Sequence, residues 1–140
     1  MTNSNFIPTP PEWGNLTASD TRFGIMYELY SIAHWYDPRY SDRLDTYIKG
    51  FCDTFFDDYP MADNPTSMIG QSLYADEITQ VGKFIKDIEP IFYGIDIPKV
   101  MYKVISKNMV NMSDNVVQSA RDLYELMLKK GDPEIEKYYK

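Results

Sequence analysis

The chain has 140 residues, of which 44% are hydrophobic and 15% aromatic, and this composition favours one globular domain with a buried core over a disordered chain. Its net charge is −7, and residues 1–70 carry 10 acids against 4 bases, so this half repels nucleic acid phosphates and suits a basic partner. The lone Cys52 excludes an internal disulfide and a multi-cysteine zinc site.

Residues 1–16 are predicted to form an extended leader. The stretch "PTPPEWG" favours extended or polyproline backbone, because each proline fixes φ and lacks an N–H. Phe6, Ile7 and Trp13 can dock the leader onto its own domain, which we favour, or onto a partner. The leader lacks the basic and apolar stretches of a signal peptide, and no apolar run approaches the length of about 18 residues that crosses a membrane. We therefore expect a soluble, cytoplasmic protein with a single helical domain over residues 17–140.

Apolar residues recur at spacings of three and four after the leader, which predicts helices, and no alternating pattern indicates a strand. The predicted helices cover residues 20–36, 41–58, 72–89, 96–109 and 113–130, and a short final helix follows Asp132. Ser41 and Ser113 are predicted N-caps, Pro90 should end or kink the third helix, and Gly131 suits a left-handed position after the fifth. These elements predict an all-α fold of five or six helices packed around a central first helix.

The first helix has two apolar faces, which is why we place it at the centre of the domain. One face includes Phe23, Met26, Tyr27, Tyr30, Ala33 and His34, and the other includes Ile25, Leu29, Ile32 and Tyr36. The remaining arc, which holds Ser31 and Trp35, is predicted to face solvent. His34 would then lie in a tyrosine-rich layer, either as a hydrogen-bonded core side chain, which we favour, or as a general base. Trp35 becomes a candidate for contact with a partner.

Glu77 falls on the apolar face of the third helix, between Leu73 and Val81. A carboxylate in that position must be paired, hydrogen-bonded or protonated. Two interpretations follow: Glu77 pairs with His34 in a catalytic site, or it leans into water at the helix start and complements the helix dipole, which we favour. His34 and Glu77 are the catalytic candidates of the sequence.

The remaining acids predict a charged surface. Asp42, Asp45, Asp53 and Asp57 fall outside the buried face of the second helix, and we predict that these four and Trp35 form a binding surface. The acid pairs of the second and fifth helices point to solvent and do not converge across facing helices, so we predict no metal site and no cofactor.

The absence of a phosphate-binding glycine loop, a nucleophile elbow and a histidine pair for zinc argues against common enzyme classes. The many tyrosines and methionines, with the acidic N-terminal half, favour a non-catalytic protein that acts by protein–protein contact, of immunity, inhibitor or regulatory type. Two alternatives stay open. One is a small metal-assisted hydrolase centred on His34 and Glu77, and the other is a structural homodimer. The homodimer would pair the acidic surface with a basic row on the fourth helix, Lys99, Lys103 and Lys107. We expect a protein partner, for which a basic surface would be complementary. We expect no binding to nucleic acid or to a membrane.

Overall fold

Helices make up most of the described backbone. The computed structural model describes residues 9–39, 64–92 and 114–138. In these residues α1 spans Ser19–Ala33, α2 spans Ile78–Phe92 and α3 spans Asp114–Leu128. Single 3-10 turns lie at Pro11–Trp13, Pro65–Met68, Ala75–Glu77 and Ile135–Tyr138. The described residues contain no strand, only one isolated bridge between Ile69 and Leu73. The all-α prediction is therefore confirmed.

The predicted number of five to six helices is not matched, because the described residues hold three α-helices. Two of the predicted helices, 41–58 and 96–109, lie outside the described residues. The short final helix predicted after Asp132 is a 3-10 turn over Ile135–Tyr138 and contributes no α-helix. None of the described helices is both long enough and apolar enough to cross a membrane.

The helix ends differ from the predicted ones where tertiary contacts intervene. Helix α1 stops at Ala33 instead of Tyr36, and the Arg121 guanidinium donates a hydrogen bond to the Ala33 carbonyl at 2.7 Å. This contact satisfies a carbonyl that would otherwise accept from a further helical turn. Helix α2 continues past Pro90 to Phe92, since a proline in the last turn removes only one backbone donor.

Helix α1 buries side chains around most of its circumference. Within the described residues, however, α3 and not the predicted α1 makes the main contacts with both other helices. The buried residues of α1 are Arg22, Phe23, Ile25, Met26, Leu29, Ser31, Ile32 and Ala33. The solvent-facing position predicted for Ser31 is wrong, because this residue is only 1% exposed. Its hydroxyl donates to the Tyr27 carbonyl at 3.5 Å, so burial does not leave it without a partner.

Helix α3 lies in contact with both other helices and joins them into one core. The apolar residues that α3 turns toward the core are all buried, namely Val116, Ala120, Leu123, Tyr124 and Met127. They meet the apolar residues of α1 and the buried face of α2, which includes Val81, Phe84, Ile85 and Ile88. A polar contact crosses the α2–α3 interface at Ser119, whose hydroxyl donates to Asp87, while Lys83 donates to both Asp87 and Ser119 at 2.8 and 2.9 Å.

The described part of the leader, residues 9–16, is not simply extended. Pro11–Trp13 form a 3-10 turn, and Trp13 and Leu16 are buried in the core. Two hydrogen bonds hold the next residues against the loop before α2. The Thr17 and Ala18 N–H groups donate to the carbonyls of residues 70 and 71 at 3.1 and 2.8 Å. Docking of Trp13 onto its own domain is therefore observed, while Phe6 and Ile7 lie outside the described residues.

The turn after α3 packs directly against this leader. Gly131 has φ +131°, and a Cβ built on it would lie 2.7 Å from Pro10 Cβ and 3.1 Å from Trp13 Nε1. We expect Gly131→Ala to lower the free energy of unfolding by about 1–3 kcal/mol, through backbone strain and the clash with the leader. Urea unfolding measures this, with Gly82→Ala as the control. Gly82 lies in α2 with no atom within 4 Å of its would-be Cβ, so that change should stabilise by about 0.5–1 kcal/mol. Equal effects of the two substitutions would contradict the packing described.

The Asp87 contact predicts a pH dependence of stability. Hydrogen bonds from Lys83 and then Ser119 hold the pKa of the Asp87 carboxyl below its usual 3.8. A carboxyl with a lowered folded-state pKa stabilises the fold above its unfolded pKa, and this contribution disappears as the pH falls through the folded value. The stability difference between wild type and Asp87→Asn should thus be constant near neutral pH and shrink below pH 3.8. Thermal melts across the acid range measure it, and a difference that persists unchanged there would contradict the assignment.

Candidate functional site

Glu77 is fully buried and engaged in a bidentate ion pair. Its two carboxylate oxygens accept hydrogen bonds from the two terminal nitrogens of Arg22, each at 2.7 Å. The same carboxylate accepts the Tyr74 backbone N–H at 2.9 Å and so caps the turn that leads into α2. The prediction that a carboxylate on this face needs a partner is met by an arginine. The interpretation in which Glu77 leans into water is wrong, since its exposed fraction is 0%.

Arg22 is the partner that the sequence analysis missed. Its guanidinium also donates to the Ser72 and Met127 carbonyls, both at 3.1 Å, and lies over the rings of Trp13 and Tyr74 at 5.1 and 4.9 Å. The signal was present in the sequence, because Arg22 precedes Met26, Leu29 and Ala33 at spacings that put them on one helix face. This enclosed cluster joins helices and leader, and neither charged side chain is exposed to solvent.

His34 lies at the opposite end of α1, as its C-cap residue. The imidazole is half-buried and stacks on the Tyr30 ring with centroids 4.1 Å apart, and Nδ1 lies 2.9 Å from the Tyr30 carbonyl. Because a carbonyl only accepts, Nδ1 carries the hydrogen. Arg22, which holds Glu77, precedes His34 by twelve residues, or about 18 Å of helix axis. The structure does not bring His34 and Glu77 together, and the described residues contain no group of three or more metal-ligating side chains.

The predicted binding surface is only partly described. Trp35 is half-buried and packs against the core, although it was predicted to lie on the solvent arc of the first helix. Helix α1 has ended before Trp35, whose N–H donates to the Ile32 carbonyl at 3.1 Å, so the helical phase no longer applies. Asp42, Asp45, Asp53 and Asp57 lie outside the described residues, and their role stays a prediction.

The structure instead shows an open pocket of about 570 Å³ between α1, α3 and the segment after α3. We call it the acidic tyrosine pocket. The described residues that line it are Tyr30, Tyr124, Leu128, Asp132, Glu134, Ile135, Glu136 and Lys137. Its volume falls in the range of small-ligand and side-chain sites, which is roughly 300–1,000 Å³.

The floor of the acidic tyrosine pocket is aromatic and apolar. The Tyr30 and Tyr124 rings meet edge to face, with centroids 5.4 Å apart and planes at 71°. Tyr124 is only 8% exposed, and its hydroxyl makes no hydrogen bond with any part of the chain that the structure describes. Burial first, and then the charges of Asp132 and Glu136, raise the pKa of this hydroxyl. The Tyr124 side chain therefore stays neutral at physiological pH, as a donor and an acceptor.

The rim of the pocket is acidic. Among the described lining residues, the carboxylates of Asp132, Glu134 and Glu136 outnumber the ammonium of Lys137, which pairs with Glu134 at 3.2 Å. Glu134 adopts a left-handed backbone with φ 55°, and its N–H donates to the Asp132 carboxylate at 2.8 Å. A residue other than glycine in this conformation costs about 1–2 kcal/mol, so surrounding contacts hold the rim in a defined shape.

Sequence reasoning missed this pocket because it treated residues after 131 as a short final helix. A signal was nonetheless present in "DPEIE", where charged and apolar residues alternate. The structure follows that alternation, since Pro133 and Ile135 are buried while Asp132, Glu134 and Glu136 are exposed. None of the residues predicted as functional lines the pocket, although His34 stacks on Tyr30, which does.

Comparison with known proteins adds no relative from which a role could be transferred. No protein-family model, no curated protein and no solved structure matches this chain. The function is therefore argued from the geometry and charge of the acidic tyrosine pocket.

Loss of the buried ion pair should lower the free energy of unfolding more than loss of a surface ion pair does. Glu77→Gln should lower the free energy of unfolding by about 3–5 kcal/mol, because it leaves the Arg22 charge buried without its counterion. The double variant Arg22→Met/Glu77→Gln should lose about 2 kcal/mol less than the sum of the two single losses. Urea unfolding of the three variants completes the cycle.

Asp76→Asn is the matched control, since Asp76 lies beside Glu77 in the same turn and pairs with Lys130 at the surface. Its loss should stay below about 1 kcal/mol. Additive losses of Arg22 and Glu77, or a loss for Asp76 as large as that for Glu77, would show that the buried pair does not hold these elements together.

Proposed function

We propose that this chain is a small non-catalytic binding protein of immunity, inhibitor or regulatory type, which takes a basic segment of a protein partner into the acidic tyrosine pocket. One observation carries the proposal: an apolar tyrosine floor and an acidic rim share one open cavity. Lysine and arginine side chains match that combination, because their stems are apolar and their ends are charged. The stem packs on Tyr30 and Tyr124, and the charge reaches the rim.

The charge of the whole chain supports the same partner. A net charge of −7 attracts a basic surface over a distance and raises the association rate, while the pocket supplies the local contact. Among the described residues that line the pocket, three carboxylates stand against one lysine, a formal excess of two negative charges. A basic segment compensates that charge, and an acidic segment is repelled by it.

The size of the pocket limits what it can hold. A cavity of about 570 Å³ accommodates one or two side chains with their backbone, and not a whole protein face. Protein interfaces usually bury about 800 Å² per partner and concentrate their binding energy in a few central residues. We infer that the pocket receives an anchor residue and that the surrounding surface supplies the rest of the contact.

The cytoplasm is the compartment we propose for this activity. A chain with a single cysteine gains no stability from an oxidising environment, since it forms no internal disulfide. The hydrolase alternative has no support from a described site. Glu77 is bound to Arg22 at the start of α1, whereas His34 lies at the other end of that helix. The homodimer alternative is tested by light scattering in the binding experiment described next.

The proposal predicts binding of a basic peptide that depends on the pocket rim. A labelled ten-residue peptide of mixed lysine and arginine should bind the wild-type protein in fluorescence anisotropy. Asp132→Asn/Glu136→Gln should weaken it about tenfold, the effect of losing roughly 1.4 kcal/mol of charge contact. The substitutions keep side-chain shape, and the amide that replaces the Asp132 carboxylate still offers an oxygen to the Glu134 N–H.

The matched control removes the same charge elsewhere. Glu12 and Glu125 are exposed and do not line the pocket, so Glu12→Gln/Glu125→Gln should leave the affinity nearly unchanged. Equal weakening by both double variants would show that net charge alone drives binding. Failure of the peptide to bind would refute the proposal, and so would a concentration-dependent dimer in light scattering that Asp132→Asn/Glu136→Gln dissolves.

A further inference from the structure

We infer that Lys137 competes with the cation of the partner segment for the Glu134 carboxylate and so limits the affinity of the acidic tyrosine pocket. This inference rests on the proposed function and adds a residue that regulates the proposed site. Lys137 and Glu134 both line the pocket, and Lys137 Nζ lies 3.2 Å from Glu134 Oε2. The contact proposed for the partner, a side-chain cation on a rim carboxylate, is therefore already made once by the chain itself.

The position of the Lys137 ammonium follows from residues close to it in sequence. Lys137 belongs to the 3-10 turn Ile135–Tyr138, and its backbone N–H donates to the Glu134 carbonyl at 3.3 Å. Its Nζ donates to the carboxylate of that same residue and lies 5.7 Å from the centroid of the Tyr138 ring. Backbone and side chain thus hold Lys137 to Glu134, and the ammonium stays at the pocket rim without any contact to the core.

The Lys137–Glu134 pair is weak enough for a ligand to open. The two side chains are 55% and 69% exposed, whereas Arg22 and Glu77 are both 0% exposed in their pair. Water and salt compete with an ion pair at an exposed position, and such pairs contribute little to stability. A cation from a partner can therefore displace the ammonium by rotation of the lysine side chain, while the turn stays folded.

Lys137 lowers the affinity for a basic segment in two ways. It occupies a carboxylate that the partner would otherwise contact, and its charge repels any cation that approaches the rim. Among the described lining residues, loss of the lysine charge raises the formal excess from two negative charges to three. A partner must therefore supply enough contacts elsewhere in the pocket to displace Lys137, which favours segments with more than one basic residue.

The variant Lys137→Gln tests the competition with the ten-residue basic peptide and fluorescence anisotropy. Its affinity should be about threefold tighter than that of the wild type at low salt, the scale of one exposed ion pair. The gain should shrink as salt is added, because both charges are exposed. Lys86→Gln is the matched control. Lys86 is exposed on α2, which contributes none of the described lining residues, so this variant should bind like the wild type.

A second background tests whether Lys137 acts through Glu134. In Glu134→Gln the lysine has no carboxylate to release, so adding Lys137→Gln should tighten binding less than it does in the wild type. The ratio of the two gains measures the coupling between these residues. A gain of the same size in both backgrounds would overturn competition for Glu134, since only general repulsion would then remain.

The remaining outcomes separate this inference from the proposed function. Equal tightening by Lys137→Gln and Lys86→Gln would show that net charge alone acts, and it would overturn the role of Lys137. An unchanged affinity in Lys137→Gln, with binding still weakened in Asp132→Asn/Glu136→Gln, would overturn that role and leave the basic-segment proposal standing. Absence of binding by the wild type and all variants would overturn both. Urea unfolding of Lys137→Gln should match that of the wild type, which ties a changed affinity to the pocket.

Discussion

The ion pair between Arg22 and Glu77 is the constraint on which the other described elements depend. Two charges removed from water cost several kcal/mol each, and only well-placed hydrogen bonds offset that cost. Here the guanidinium meets a carboxylate from the turn before α2, the Ser72 carbonyl and the Met127 carbonyl of α3. Three distant parts of the sequence must therefore adopt one arrangement for the charge to be accommodated. An apolar core of the same size would fill the space and specify that arrangement less strictly.

The consequences of this pair extend to the acidic tyrosine pocket. Arg22 holds the Met127 carbonyl in the last turn of α3, one residue before Leu128 and three after Tyr124, both of which line the pocket. The ring of Trp13 covers the same guanidinium and also lies against Gly131, where the chain turns out of α3. The contacts of Arg22 with Met127 and of Trp13 with Gly131 thus fix the direction in which residues 132–137 leave α3. Stability at Arg22 and the shape of the pocket rim are parts of one packing arrangement.

The sequence predicts the local features of this fold well and its long-range contacts poorly. Apolar spacing locates α1 and α3 to within a few residues, since periodicity and capping act within one helix. Helix α2 is located less closely, because it begins at Ile78 and not at the predicted residue 72. The same periodicity also identifies Glu77 as a carboxylate on a core face. It does not identify the partner, because Arg22 and Glu77 are 55 residues apart and a charged residue in the first turn of a helix normally faces solvent. The helical wheel fails for Trp35 for a related reason, since a contact from Arg121 in α3 ends α1 first.

The pocket was hidden from sequence reasoning for the same physical reason. Tyr30 comes from α1, Tyr124 from α3 and the acids from the segment beyond α3, so no window of the sequence contains both the floor and the rim. Aromatic rings lie near carboxylates both in the enclosed cluster around Arg22 and in the open pocket at Tyr124. The enclosed set is filled by the chain and contributes to folding. The open set is accessible from solvent, and we propose that it receives a basic segment of a partner. Charged and aromatic groups that pair inside the fold stabilise it, whereas the acidic tyrosine pocket leaves the same kinds of group accessible to another molecule.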